Sequence, residues 1–139
     1  MTAPEIKQSI TANAEKIRQL HSRVRQTFQQ RTQSEKRKQE WKEACRDLHA
    51  NYNRLAFPGG YNNALARIIA GDPQTMEAAI CFLEVRPYFF RSGYMFKDIL
   101  RKLKKAPLSK DQSTRLEISL QKLDEWRRSK QLPRPHYSD

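Results

Sequence analysis

The chain has 139 residues, with 27 Lys or Arg against 15 Asp or Glu, and a formal charge of +12. Its mean hydropathy of -0.91 is low, and no apolar run approaches the roughly 20 residues of a membrane span. The surplus of positive charge points to polyanionic partners: nucleic acid, an anionic membrane surface or an acidic protein.

The opening segment, MTAPEIKQSITANAEKIRQL, is polar and carries acids, unlike a secretory leader. Cys45 and Cys81 form no CxxC pair and fall at apolar positions of expected helices. Reduced, buried thiols are the usual state there. A cytoplasmic location is the expectation.

Residues 5–55 contain neither Gly nor Pro. One heptad frame runs through them. One seam position holds Ile10, Ile17, Val24, Arg31, Lys38, Cys45 and Tyr52; the other holds Ile6, Asn13, Leu20, Thr27, Ser34, Trp41, Leu48 and Leu55. Such a frame favours a long helix or a helical hairpin with a coiled-coil-like stripe. The frame turns polar through QQRTQSEKRKQE, so the segment either bridges two contacts or breaks near residues 32–34. One continuous helix is the expectation, since Thr and Ser are the only turn residues there.

AFPGGYNN stops this helix, because Pro58 cannot continue it and Gly59 with Gly60 supplies a turn. YNNALARIIA is expected as a second helix, ended by Gly71. In GDPQTMEAAICFLEV, Asp72 is the expected N-cap and Pro73 the first helical residue. That helix is apolar on several sides and should be the central core element, with Leu83 meeting Leu100 of the next helix. Pro87 ends it. YFFRSGY connects to a helix over 94–105, with Gly93 as the turn residue and Ser92 as the cap. PLSKDQ opens the last helix through a capping box of Ser109 and Gln112. Its apolar positions are Leu116, Ile118, Leu120, Leu123 and Trp126. The tail LPRPHYSD should be loosely ordered.

The expected fold is therefore all-α. It has a long N-terminal helix, a coiled-coil-like arm, followed by a compact bundle of about four short helices. The expected divisions are 1–56 as a basic arm, 57–130 as the compact domain and 131–139 as a flexible tail.

These short helices, with GDP and PLS as start signals over residues 61–130, resemble HEAT-like helical-repeat segments. They are also similar to segments of uncharacterised bacterial helical proteins. The resemblance implies a binding scaffold rather than a chemistry.

Charge is heaviest on the arm: residues 1–56 carry 12 basic and 6 acidic residues. The candidate nucleic-acid contacts there are Arg18, Arg23, Arg25, Arg31, Arg37 and Lys38. A second group is Arg91, Lys97, Arg101, Lys104 and Lys105. On the 94–105 helix, Phe96, Ile99, Leu100 and Leu103 share an apolar face and the lysines share another. Lysines in a last helical turn also complement the helix dipole without any ligand, which accounts for Lys104 and Lys105 but less well for Lys97 and Arg101. Tyr88, Phe89, Phe90 and Tyr94 are able to stack bases, although such clusters more often pack a core.

The sequence has no phosphate-binding loop, dinucleotide fingerprint, HExxH or GxSxG pattern. Cys45 and His49 have i, i+4 spacing but no further ligand nearby, so no metal site and no cofactor is expected. Glu77, Glu84 and Asp98 are expected in salt bridges rather than catalysis. The functional expectation is a non-enzymatic binding protein that engages RNA or DNA backbone, as a small subunit of a nucleoprotein assembly. No small-molecule substrate and no membrane partner are expected. The alternative is a protein–protein adaptor, or the partner of a toxin or effector, whose long helix self-associates or docks on an acidic surface. A nuclease inhibitor fits poorly, because mimicry of phosphate requires an acidic chain.

Overall fold

The computed structural model describes residues 1–131 and is all-helical over that span. The expected tail from residue 132 onward, including His136, lies outside the described residues; Gln131 is the last residue of the final helix.

Helix α1 (Ala3–Gln30) begins at a capping box. The Thr2 hydroxyl accepts from the Glu5 N–H, and the Glu5 carboxylate accepts from the Thr2 N–H at 3.0 Å. These bonds satisfy donors that a helix start leaves open. They also hold the Glu5 carboxyl below its ordinary pKa.

Helix α2 (Glu35–Ala56) is a separate element, so the continuous helix expected over 5–55 is corrected to an antiparallel hairpin. The reason lies in the polar stretch of the seam. With Thr27, Arg31, Ser34 and Lys38 in succession there is no apolar row to bury. Ser34 instead turns to an extended backbone, and its Oγ accepts from the Arg37 N–H at 3.1 Å. Reversal then lets the two halves of one seam face each other. Phe28 meets Trp41 edge-on at 6.0 Å between ring centres, and Arg23 pairs with Asp47 at 2.5 Å.

Phe57 leaves α2 in an extended conformation and is fully buried. Gly60, at φ +90°, donates to the Phe57 carbonyl at 2.8 Å, a turn geometry that suits glycine. The second expected helix starts later than its sequence pattern indicates. Asn63 adopts φ 66°, so α3 (Ala64–Ile69) is only a short helix. Asn tolerates that left-handed backbone better than most residues.

Helix α4 (Pro73–Val85) starts as expected, with Asp72 accepting from the Thr75 N–H at 2.9 Å. Ala79, Ile80, Cys81 and Phe82 are fully buried, which fits the helix's central place. It packs on α1, α3 and α5. Each large apolar side chain buried this way contributes on the order of 1.5–3 kcal/mol.

Helix α5 (Ser92–Leu103) differs in its start. Gly93 is an ordinary helical residue, and the turn is made by Arg91 at φ 69°. Ser92 is buried; its Oγ accepts from the Phe89 N–H at 3.0 Å and so closes the turn before the helix. The inward row is Met95, Ile99 and Leu103, while Phe96 and Leu100 are half-buried at its edges. Leu83 is buried as expected.

Contacts group the chain into two compact units that divide after Pro107. The hairpin is part of the first unit because α1 lies along α4. Lys7 pairs with Glu84 at 3.2 Å, and Ile6, Ile10, Ala14 and Ile17 are buried. The second unit contains α6 (Lys110–Gln131), opened by the expected box: Ser109 N–H to Gln112 and Gln112 N–H to Ser109 Oγ, both 3.1 Å. Leu116 and Leu123 are buried, whereas Ile118 and Trp126 are 45% exposed.

Candidate functional site

The eleven candidate cations fall into three groups by what their side chains already do. Arg18, Arg23, Arg31, Arg37 and Arg101 are engaged within the fold. Arg18 donates to the Tyr88 carbonyl at 2.6 Å and pairs with Glu15 at 2.5 Å. Arg23 ties the hairpin through Asp47, and Arg37 pairs with Glu40 at 3.4 Å. Arg31 donates to the Phe28 carbonyl at 2.7 Å, and its guanidinium sits 3.5 Å from the Phe28 ring centre. Arg101 pairs with Asp98. Such exposed pairs contribute little stability, about 0–1 kcal/mol each. They do lower the net field that these arginines offer to an outside anion.

Arg25, Lys38, Lys97, Lys104 and Lys105 form the second group. All are exposed, and none makes an ion pair among the described residues. Lys97 and Lys104 lie opposite the buried row Met95, Ile99 and Leu103, given a period of about 3.6 residues. The apolar row fixes the helix, and the helix holds these lysines outward. Lys38 lines an open cleft at the hairpin tip with Arg31, Thr32, Ser34 and Glu35, about 430 Å³ in volume. Phe28 is 46% exposed at this end.

Arg91 stands alone in the third group. Its guanidinium lies 5.7 Å from the Phe90 ring centre and 5.9 Å from that of Tyr94. The connector before it is held from two helices: Arg18 of α1 binds the Tyr88 carbonyl, and the Tyr52 hydroxyl of α2 donates to the Phe90 carbonyl at 2.7 Å. His21 stacks on Phe90 at 4.7 Å. Of the four aromatics in this stretch only Phe89 is buried; Tyr88 is 79% exposed and Tyr94 70%.

Beside Arg91 is a cleft of about 310 Å³ lined by Tyr52, Tyr61, Arg91, Tyr94, Met95 and Asp98. Burial raises the pKa of both Tyr52 and Tyr61, and the Asp98 charge adds to the effect at Tyr61. Both phenols are therefore neutral hydrogen-bonding groups at ordinary pH. Tyr52, Tyr61 and Asp98 are absent from the candidates read from sequence. Tyr52 sits on the heptad seam, where an aromatic signals packing. Tyr61 follows the Gly59–Gly60 turn with no local signal beyond its ring.

Among the described residues no cluster of His, Cys, Asp and Glu is arranged to hold a metal ion. Cys45 is half-buried and Cys81 buried, both as free thiols. Among the same residues, no helix is long and apolar enough to cross a membrane. No protein-family model, no curated protein and no solved structure matches this chain.

Proposed function

We propose that this protein is a non-enzymatic binder of nucleic-acid backbone. The observation that carries the reading is the α5 face: Lys97 and Lys104 point away from a fully packed apolar row and have no acid partner among the described residues. Lys105, one residue beyond, is likewise unpaired. Cations pre-positioned on a rigid helix bind phosphates without specifying sequence. The net charge of +12 adds long-range attraction for any polyanion.

The test is the salt dependence of binding to a duplex and to a single strand of equal length. Changing Lys97, Lys104 and Lys105 to Gln together leaves the apolar row intact. The slope of log K against log salt should then shrink by up to about 2–3 units, since each phosphate contact contributes roughly 0.7–0.9. Absence of binding to either strand form at low salt refutes the reading.

A second reading, a protein–protein adaptor, is favoured by the hairpin tip. Phe28 is exposed there beside half-buried Trp41, under cationic neighbours. An acidic partner with an apolar groove fits that chemistry. Phe28→Ala should abolish capture of such a partner while leaving the salt slope on nucleic acid unchanged.

A further inference from the structure

We infer that the cleft between α2, the 61–63 turn and α5 takes one unpaired base of a single-stranded nucleic acid, with preference for bases that carry an exocyclic amine. The inference rests on the backbone-binding reading and names which nucleic acid it concerns. Its grounds are the chemistry of the cleft, which differs from that of the lysine face.

The cleft presents aromatic faces at different depths. Tyr94 is 70% exposed, Tyr52 and Tyr61 are half-buried, and Met95 beneath them is 3% exposed. This gives an apolar floor and a ring at the mouth, which suits a flat aromatic ligand. A volume near 310 Å³ is at the small end of ligand clefts, enough for a single ring system but not for a duplex edge. Arg91 stands at the same mouth with its guanidinium near the Tyr94 ring. A base stacked on Tyr94 would thus bring its own phosphate within reach of a cation.

Polar groups in the cleft set the preference. Asp98 gives one carboxylate oxygen to Arg101, and its Oδ2 makes no hydrogen bond among the described residues. The Tyr61 hydroxyl has no hydrogen-bond partner there either. An acid in a cationic surround is an acceptor for N–H groups and repels carbonyl oxygens. Cytosine, adenine and guanine offer an exocyclic amine. Thymine and uracil flank their single N–H with two carbonyls, a poorer match for a carboxylate. Watson–Crick edges are free only in unpaired strands, so the same groups discriminate against duplex.

The geometry is held in place by the fold. Arg91 has φ 69°, which a long side chain seldom adopts. Bonds to the Phe90 carbonyl and the Phe89 N–H on its N-terminal side keep it there. The cleft is therefore pre-formed in the free protein.

The experiment measures binding of equal-length oligo-dC, oligo-dT and a mixed-sequence duplex to the full chain, across a salt series. Expected are tighter binding of dC than of dT by several-fold, and weaker binding of duplex than of dC at matched salt. Tyr94→Ala, at an exposed position, should lower dC affinity by about 5–150-fold, the range of one base–aromatic stack. Its salt slope should stay unchanged. Asp98→Ala should abolish the dC-over-dT preference. Tyr88→Ala, which is exposed and outside the cleft, is the control and should match wild type. The inference is overturned if Tyr94→Ala and Asp98→Ala both bind dC and dT like wild type while steep salt dependence persists; the backbone reading then stands alone. If no strand form binds at low salt, the backbone reading falls and this inference falls with it.

Discussion

Truncating Ile17 tests whether the N-terminal helix belongs to the core. Ile17 is 0% exposed on α1, the helix that lies along α4. Ile17→Ala removes roughly three buried carbons, about 2.4 kcal/mol at ~0.8 kcal/mol per methylene. The unfilled cavity raises the cost to about 3–4 kcal/mol, within the usual span of about 2–5 for such changes. Near 100 residues, each 1 kcal/mol moves the midpoint by roughly 4–8 °C, so a fall on the order of 12–30 °C is expected. In urea the midpoint should drop by about 2 M at a slope of ~1.5 kcal/mol/M. Far-UV circular dichroism at the helix band reads both. Val24, farther along α1 and only half-buried, is the internal comparison. Val24→Ala should cost roughly 1 kcal/mol or less, the ordinary effect of a substitution that opens no enclosed cavity. If Ile17→Ala is too unstable to purify, Ile17→Val should still cost about 0.5–1.5 kcal/mol. An Ile17→Ala protein melting within a few degrees of wild type, and no lower than Val24→Ala, would refute the placement of α1 in the core.

Three further outcomes follow from local geometry. Arg18→Ala removes the hydrogen bond to the Tyr88 carbonyl. It should cost about 0.5–1.5 kcal/mol and speed limited proteolysis at residues 86–91, read by mass spectrometry of the fragments. Gly71 has φ +83°, and a Cβ there would stand 2.8 Å from the Pro107 ring. Gly71→Ala should therefore destabilise by roughly 1–3 kcal/mol in a thermal melt. Asp72 has its pKa lowered by the hydrogen bonds from the Thr75 side chain and backbone. A depressed folded-state pKa gives stability that is full above the unfolded value and is lost as pH falls through the folded one. Stability should decline below about pH 4, and Asp72→Asn, which keeps a capping oxygen, should flatten that decline.

Helix starts were legible in the sequence wherever the chemistry is local. Asp72 with Pro73 and Ser109 with Gln112 each satisfy open N–H groups within four residues, so their spacing alone carries the information. The hairpin was less legible. A stretch without Gly or Pro permits a helix but does not require one. The reversal goes with the burial of Ala14 and Ile17 on α1 and Ala44 on α2, and the pairs Phe28–Trp41 and Arg23–Asp47 are made only in the closed form. Gly93 drew the turn to itself in the sequence, whereas the left-handed residue is Arg91, held by Tyr52 and Ser92. The lysine face of α5 could be seen from its period. The engagement of Arg18 and Arg31 could not, because a carbonyl acceptor or an aromatic face leaves no mark on charge composition. The cleft joins residues 52, 61 and 98 from three separate segments, and no local pattern places them together.

The parallel run of α1 beside α4 has a consequence for synthesis on the ribosome. The Ala3 carbonyl lies near the Cys81 thiol, and Lys7 reaches Glu84. Helix α1 pairs with α2 as the hairpin forms, but its packing on α4 waits until Cys81 and Glu84 have been made. At roughly 5–20 residues per second that interval is on the order of 4–15 s. Throughout it, Ile6 and Ile10 lack the α4 side of their cover, and the nascent hairpin displays a basic, partly apolar surface close to ribosomal RNA. The order of translation thus leaves one face of α1 waiting for its permanent neighbour.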